Sequence, residues 1–337
     1  MKILFAAGIY PPEVGGPSNY AYELKQELEK LGNKVDVVMY RPFRKIPSGL
    51  RHFAYLIKLL LVGGKADVIL GFDYLSVGLP AVLAGKILRK KVVLRIGGDF
   101  LWEEFVERTQ KKILLSKFYE EKRVYTFKEK LIFIFTRFVF RNCSAIVFNS
   151  GWLRDIFVKA YRLDVKKTKI IENAYEFAKI VKLEKPTKKV FIWAGRQIFF
   201  KNISTLELAF ENAKKKNPSL SLKIIKNALH KELIKEIESC YAVIYPSLSE
   251  VNPNLVLEGI SCGKPSIVTE ETGINDFLEG KVVFANPLDQ DDITEKILSL
   301  ANDETYQKCC KQIKKITQQH TYIQIGKEYK DLIESTI

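Results

Sequence analysis

The chain has 337 residues, enough for about two domains of roughly 150 residues each. Hydrophobic residues make up 47% and charged residues 28%, a globular composition that excludes a disordered tail or a collagen-like chain. The net charge of +15, from 54 Lys and Arg against 39 Asp and Glu, indicates a surface that attracts the phosphate of a nucleotide, a nucleic acid or an anionic lipid.

Apolar runs alternate with helix-period segments along the first half of the chain. The N-terminal run ILFAAGI is too short for the hydrophobic region of a secretory signal, so it predicts a buried first strand. There follow a helix (SNYAYELKQELEKLG), a strand (KVDVVMY), a basic helix, a strand (ADVILGF), a helical stretch that ends at Leu88, and the strands KVVLRIG, AIVFNS and KIIENA. This order predicts βαβ units in a parallel, doubly wound sheet.

A polar, lysine-rich stretch over residues 175–188 lacks apolar periodicity and predicts a linker after a first domain of residues 1–174. The alternation restarts with VFIWAG, a helix from about Ser204, LSLKII, YAVIYPS, a helix from Pro253, PSIVTE, KVVFAN and a helix from about Asp291. We therefore expect a second Rossmann-like domain over residues 189–318 and a C-terminal helix over 319–337 that packs back on the first domain. The two domains would face each other across a cleft, with ligands at the carboxyl ends of the strands.

Several cofactor motifs are absent. The segment GIYPPEVGGPSN after the first strand has no G-x-G-x-x-G, and no Gly-Lys pair belongs to a P-loop, which disfavours dinucleotide enzymes and P-loop ATPases. Asp289-Gln290-Asp291 resembles a D-x-D metal motif but opens a helix, where Asp serves as a cap. The five cysteines lack C-x-x-C spacing and the three histidines are scattered. We expect no metal, no bound cofactor and a reduced, cytoplasmic location.

Two basic segments rich in apolar residues, residues 44–61 and 107–141, stand out in the first half of the chain. Neither holds the uninterrupted apolar run of about 20 residues that crosses a bilayer. They have two interpretations: they hold the protein as a peripheral partner of an anionic membrane surface, or they are solvated helices that pack their apolar sides on their own sheet.

The most informative stretch is YPSLSEVNPNLVLEGISCGKPSIVTEETG, in which Glu250 and Glu258 stand eight residues apart. Asn252 is a good N-cap and Pro253 a good first helical residue, which predicts Glu250 in a loop and Glu258 in the second helical turn. Glu258 can accept hydrogen bonds from vicinal hydroxyls, and Glu250 can address a second hydroxylated group.

The N-terminus of that predicted helix, at Asn254 and Leu255, has free N–H groups and a positive dipole suited to an anionic diphosphate.

This stretch closely resembles the E-x7-E signature of the family 4 retaining glycosyltransferases of the group 1 type, which have the two-domain GT-B fold. The resemblance extends to Trp193-Ala194-Gly195-Arg196 with Lys201-Asn202, which look like the family's strand-end Gly-Arg and Lys pair. Gly15-Gly16 resembles the family's glycine pair, which lets the backbone approach the donor phosphates.

The resemblance implies a hexosyltransferase-like enzyme that moves a sugar from a nucleoside diphosphate sugar to an acceptor hydroxyl. It further implies retention of configuration without a metal, in the synthesis of cell-surface glycan, polysaccharide or glycolipid. In a member, Arg196 and Lys201 would stabilise the leaving diphosphate, Glu258 would hold the ribose and Glu250 would orient the donor sugar.

The sequence departs from the family pattern at VVLRIGGDFLWE, where many members have a histidine. Asp99 is the best match; it either hydrogen-bonds a sugar hydroxyl or the acceptor, or caps the following helix. Asn173 resembles the family's Asn at the end of the last first-domain strand, with a structural turn as its other role.

Two other functions stay open at this point: a GT-B sugar-nucleotide epimerase, for which the chain offers few acid/base histidines, and a non-catalytic, basic nucleic-acid-binding protein. We find no RNA-recognition or zinc-finger motif and therefore expect no nucleic-acid partner.

Overall fold

A computed structural model describes residues 1–13, 15–47, 49–175, 177, 186–226, 228–317 and 319–336. The chain divides into two compact units. Unit 1 comprises Met1–Leu101, Arg123–Ala174 and His320–Ile337, and unit 2 comprises Trp102–Lys122 and Tyr175–Gln319. Both are α/β units built on parallel sheets, as the alternating sequence pattern predicts.

Unit 1 has a six-stranded parallel sheet in the order β2-β1-β3-β4-β5-β6. Its strands are β1 (Lys2–Ala7), β2 (Lys34–Met39), β3 (Val68–Gly71), β4 (Lys91–Ile96), β5 (Ala145–Phe148) and β6 (Thr168–Ile170). β3 and β5 are buried throughout because both faces of a doubly wound sheet are covered by helices. The strand order of the sheet reverses between β1 and β3, since β2 lies on one side of β1 and the later strands lie on the other.

Seven α-helices begin among the described residues of the first half of the chain. They are α1 (Gly16–Lys30), α2 (Leu50–Gly63), α3 (Gly78–Leu88), α4 (Phe100–Thr109), α5 (Leu115–Phe118), α6 (Phe127–Asn142) and α7 (Gly151–Tyr161). Of these, α5 and most of α4 lie in the part of the first half that belongs to unit 2. α6 begins at a capping box in which the Thr126 hydroxyl accepts from the Glu129 N–H and the Glu129 carboxylate accepts from the Thr126 N–H. Such reciprocal bonds satisfy two backbone donors at the start of a helix.

Unit 2 has a five-stranded parallel sheet in the order β11-β10-β9-β7-β8. Its strands are β7 (Lys189–Ala194), β8 (Leu220–Ile225), β9 (Ala242–Tyr245), β10 (Ser266–Thr269) and β11 (Val283–Ala285). The remaining helices are α8 (Ile203–Lys216), α9 (His230–Ser239), α10 (Asn254–Ser261), α11 (Asn275–Leu278), α12 (Gln290–Leu300), α13 (Asp303–Ile313) and α14 (Tyr322–Thr336). In this sheet the strand order reverses between β7 and β9.

The C-terminal helix α14 belongs to unit 1 and lies against α1. Its buried Ile325, Tyr329 and Ile333 enter the same core as Tyr20 and Leu24 of α1. α14 thereby joins the apolar core of unit 1.

The predicted strands and helices are all present in the described residues, and the prediction that Asp289 caps a helix is confirmed. Its carboxylate accepts from the N–H groups of Asp291 and Asp292 at 2.9 and 3.1 Å. Most of the predicted linker, residues 176 and 178–185, lies outside the described residues. The sequence predicts a continuous first domain up to residue 174, but residues 102–122 within that range belong to unit 2.

No helix in the described part of the chain has the length and apolar character needed to cross a bilayer.

Candidate functional site

The carboxyl ends of β7 and β9 flank the point where the strand order of unit 2 reverses. Open α/β sheets bind ligands in the crevice at such a point. The loop after β7 carries Arg196 and Lys201, and the loop after β9 carries Glu250. The structure therefore brings together, within one unit, three residues that the sequence assigned to one site.

Lys201 and Glu250 form the central ion pair of this site, Nζ to Oε2. Their side chains are only 11% and 16% exposed. Burial alone would lower the pKa of Lys201, but the negative charge of Glu250, together with Tyr245, raises it above its ordinary value. Lys201 is therefore a cation at every physiological pH.

Tyr245, at the end of β9, interacts with the charged groups of the site. The Lys201 Nζ lies 4.7 Å from its ring centroid, a distance at which a cation interacts with an aromatic face. Burial and Glu250 raise the pKa of Tyr245, while the charges of Lys201 and Arg196 oppose that rise. In the sequence Tyr245 only marks the end of a strand, because an aromatic residue at that position is also typical of an ordinary core.

Asn202 fixes the loops around this ion pair. Its backbone is left-handed (φ 59°), a conformation that Asn tolerates better than most residues. Its amide donates to the carbonyls of Pro246 at 3.1 Å and Pro287 at 2.7 Å, and its oxygen accepts from the Thr205 hydroxyl at 2.6 Å. One buried side chain thus connects the loops that follow β7, β9 and β11.

The start of α10 differs from its prediction. Asn252 is not the N-cap: the helix begins at Asn254, with Pro253 in the capping position and no side-chain cap. The Asn252 amide donates to the Asn254 side chain at 2.6 Å instead. The Asn254 N–H donates to the Asn252 carbonyl at 2.9 Å, so part of the predicted anion-binding N-terminus is already used within the loop.

Glu258 lies in the second turn of α10, as predicted. Its Oε1 lies 3.1 Å from the Nε2 of His230, the first residue of α9. Burial raises the pKa of Glu258, and the interaction with His230 partly offsets that rise. The next residue, Gly259, has no room for a side chain, since a Cβ would lie 2.9 Å from Val243 of β9. α10 therefore packs close to the sheet and fixes the position of Glu258.

Gly15 and Gly16 lie in unit 1, at the start of α1. Gly15 precedes the helix with φ 154° and ψ 157°, a region of backbone conformation that is essentially restricted to glycine. Gly16 is the first helical residue. The Gly15 carbonyl accepts from the Ser18 and Asn19 N–H groups, so this glycine sets the direction in which the chain enters α1.

Asp99 also lies in unit 1 and is buried directly before α4. The first N–H of that helix, at Phe100, donates to the Tyr74 hydroxyl at 2.6 Å. Burial raises the pKa of Tyr125 to about 12, and the nearby charge of Asp99 contributes to the rise. Asp99 and the glycine pair thus belong to a different unit from Arg196 and the residues around it.

Asn173 has a structural contact in unit 1. Its side-chain oxygen accepts from the Arg95 guanidinium at 2.6 Å, and that guanidinium lies 3.8 Å from the Tyr20 ring centroid.

No group of three or more His, Cys, Asp and Glu side chains suited to a metal ion occurs among the described residues.

Comparison with known proteins gives matches to two family models. Residues 14–179 match Glycosyltransferase Family 4, and residues 223–320 match Glycosyl transferases group 1. No protein of curated function matches the chain at a significant level.

Similar solved structures cover nearly the whole chain at low identity. HepE from Anabaena, solved with UDP and glucose, has a TM-score of 0.70 at 15% identity and covers 99% of this chain and 100% of its own. WaaG, involved in lipopolysaccharide biosynthesis, has a TM-score of 0.67 at 12% identity over 98% of this chain and 99% of its own. The lipopolysaccharide outer core galactosyltransferase WaaB has a TM-score of 0.63 at 16% identity over 100% of both chains. With two parallel α/β units and both family models matched in order, the chain belongs to the GT-B glycosyltransferases of family 4, group 1 type.

Proposed function

We propose that this glycosyltransferase moves a sugar from a nucleoside diphosphate sugar to an acceptor hydroxyl with retention of configuration and without a metal. The glycosidic C1–O bond to the diphosphate breaks, and the acceptor oxygen bonds to C1 on the same face. The acceptor proton passes to the departing phosphate oxygen. The acceptor would belong to a cell-surface glycan, a polysaccharide or a glycolipid, in line with the described roles of WaaB and WaaG.

The observation that carries this proposal is the buried Lys201–Glu250 pair at the strand reversal of unit 2, with Arg196 in the same loop as Lys201. The leaving diphosphate gains negative charge as the glycosidic bond breaks, and fixed cations stabilise that charge. Lys201 and Arg196 supply the cations. Glu250, oriented by its bond to Lys201, supplies oxygens that accept from the hydroxyls of the donor sugar.

The other donor contacts are proposed from the family resemblance. Glu258 would accept from the ribose hydroxyls, and the first turn of α10, at Asn254 and Leu255, would face the diphosphate. Gly15 and Gly16 would let the backbone approach the phosphates, and Asp99 would hydrogen-bond the sugar or the acceptor.

A thermal-shift screen tests the donor site. Purified protein is mixed with UDP, GDP, ADP and TDP and their common sugar conjugates, because a ligand that binds the folded state raises the melting temperature. We expect one nucleotide series to stabilise the protein and Glu258→Ala to abolish the shift. Glu279→Ala, an exposed acid of the same unit, is the matched control. No shift with any nucleotide in folded protein would contradict the proposal.

Incubation of the selected nucleotide sugar without an acceptor separates transfer from epimerisation. An epimerase would convert the donor sugar unaided, and proton NMR would detect the new isomer. We expect no new nucleotide sugar. A covalent sugar adduct on the enzyme would refute the same-face step.

We further propose that α2 holds the enzyme against an anionic membrane at its cytoplasmic face, as a peripheral protein. Four apolar side chains at helical spacing, Leu50, Phe53, Ile57 and Leu61, are 43–78% exposed on one side of α2. Lys58 on this helix and Lys45 before it are exposed cations. An apolar stripe beside cations suits the interface of an anionic bilayer.

Vesicle co-sedimentation tests this contact. We expect binding to phosphatidylglycerol vesicles at low salt and weaker binding after Phe53→Ser with Leu61→Ser. Leu208→Ser, at a residue of α8 that is 52% exposed, is the control. Equal sedimentation with and without anionic vesicles would argue for a soluble acceptor.

A further inference from the structure

Residues Trp102–Lys122 lie between two segments of unit 1 in the sequence but are part of unit 2. We call them the 102–122 segment. Five of its apolar side chains are buried: Trp102, Phe105, Val106, Leu115 and Phe118 are each no more than 5% exposed. The segment therefore buries these side chains as a part of unit 2.

The first part of the segment holds the loop that carries Lys201. The Glu107 carboxylate accepts from the Phe199 N–H at 2.6 Å, and the Trp102 ring lies 5.0 Å from the Phe200 ring. Phe199 and Phe200 form one short 3-10 helix with Lys201. Glu107 and Trp102, which lie outside the loop, thus fix the position of this short helix.

Lys112 adds a link to the same loop. Its Nζ donates to the Thr205 hydroxyl at 2.7 Å, and that hydroxyl donates to Asn202 at 2.6 Å. Asn202 in turn binds the loops after β9 and β11. The orientation of the Thr205 hydroxyl, and with it the Asn202 contacts, therefore depends on Lys112.

The last part of the segment holds the loops on either side of Glu250. The Leu115 N–H donates to the Ser249 hydroxyl at 2.8 Å, directly before Glu250. The Ser116 hydroxyl donates to the Glu271 carboxylate at 2.9 Å, and the Glu271 carbonyl accepts from the Glu250 N–H at 2.8 Å. The segment therefore hydrogen-bonds to Ser249, next to Glu250 in the chain, and to Glu271, whose carbonyl binds the Glu250 N–H.

We propose that the 102–122 segment positions the donor site, with Glu107, Lys112 and Ser116 as positioning residues for Lys201 and Glu250. This inference rests on the proposed function. It assigns to the first half of the chain a role in binding the diphosphate and sugar of the donor. Glu258, which would hold the ribose, pairs with His230 of α9, outside the segment, so we expect recognition of the ribose to be independent of the segment.

This division predicts a selective defect. Substitutions that remove contacts of the segment should weaken binding of the diphosphate and the sugar, which Lys201 and Glu250 hold. They should leave binding of the nucleoside unchanged. A general loss of stability would weaken all nucleotides alike. The comparison of UDP-glucose, UDP and UMP separates the two, because UMP keeps the ribose but lacks the second phosphate and the sugar.

The experiment is calorimetric titration of the full chain with these three ligands. Ser116→Ala and Lys112→Met should each weaken binding of UDP-glucose about 3- to 10-fold, the range for one lost hydrogen bond, and binding of UMP less than about 2-fold. Ser116→Thr keeps the hydroxyl and should bind normally. Lys111→Met, at the neighbouring exposed lysine, is the matched control. If the thermal-shift screen selects another base, its diphosphate sugar, diphosphate and monophosphate replace these ligands.

Hydrogen exchange gives a readout that needs no ligand: peptides that contain Phe199 and Glu250 should exchange faster in Ser116→Ala and Lys112→Met than in wild type. Unchanged UDP-glucose affinity and exchange in both variants, with weakened binding in Glu258→Ala, would overturn the positioning role and leave the proposed function intact. Equal losses for UMP and UDP-glucose would also overturn it. Absence of binding by wild type to any nucleotide would instead refute the proposed function.

Discussion

Replacing Lys201 by Met should separate the stabilising and the ligand-binding roles of the buried ion pair. The substitution keeps the length of the side chain but leaves the Glu250 carboxylate, 16% exposed, without its counter-charge. Removal of one partner of a buried pair costs about 3–5 kcal/mol. Because Glu250 retains some contact with solvent, we expect the lower end, about 3 kcal/mol in the free energy of unfolding.

The double variant Lys201→Met with Glu250→Gln removes both charges. We expect it to recover most of the lost stability, since no uncompensated charge remains buried. Donor binding should not recover, because the diphosphate still lacks a cation, and kcat should stay about 100-fold below wild type.

Urea unfolding followed by tryptophan fluorescence measures the free energy of unfolding. Of the three tryptophans, Trp102 and Trp193 belong to unit 2, so the signal reports largely on the unit that contains the pair. Titration with the donor selected by the thermal-shift screen measures binding. A double variant that is as unstable as Lys201→Met, or one that binds donor normally, would refute the reasoning.

Three further predictions concern local features of both units. His230→Ala removes the interaction that lowers the pKa of Glu258, so that pKa rises further, and the acid limit of nucleotide binding should move to higher pH in titrations over a pH series. Gly15→Ala forces a side chain into a glycine conformation and should cost about 1–3 kcal/mol, whereas Gly16→Ala, inside α1, should not lower the melting temperature. Asp73→Ala removes the carboxylate that accepts from three backbone N–H groups before and at the start of α3. It should lower the free energy of unfolding by about 1–2 kcal/mol. Asp73→Asn keeps an acceptor oxygen, so thermal unfolding should show a smaller loss of stability.

The strands could be predicted from the sequence because buried parallel strands appear as continuous apolar runs. VFIWAG and YAVIYPS are such runs, and they become β7 and β9. Loops after such strands lie at the carboxyl edge of the sheet, so topology predicts that the loops carrying Lys201 and Glu250 are neighbours. The E-x7-E resemblance then supplies roles that the spacing by itself does not.

The interaction partners of the site residues could not be predicted in the same way. His230 and Glu258 lie 28 residues apart on different helices, and no local pattern relates them. Asn252 shows the limit of a local rule: its sequence suits an N-cap, but its amide binds Asn254 instead. A short polar side chain in a loop has several acceptors within reach, and the tertiary structure decides among them.

The 102–122 segment shows why the domain boundary could not be read from composition. Its hydrogen bonds reach Thr205, Ser249 and Glu271, which lie 93, 134 and 155 residues further along the chain. Helix-period apolar residues predict that a segment is buried but do not identify the core that buries it. If the segment positions Lys201 and Glu250, the donor site is built from both halves of the sequence. Substitutions in the first half would then change affinity for the donor as well as for the acceptor, and effects on the two substrates could not be assigned by position in the chain.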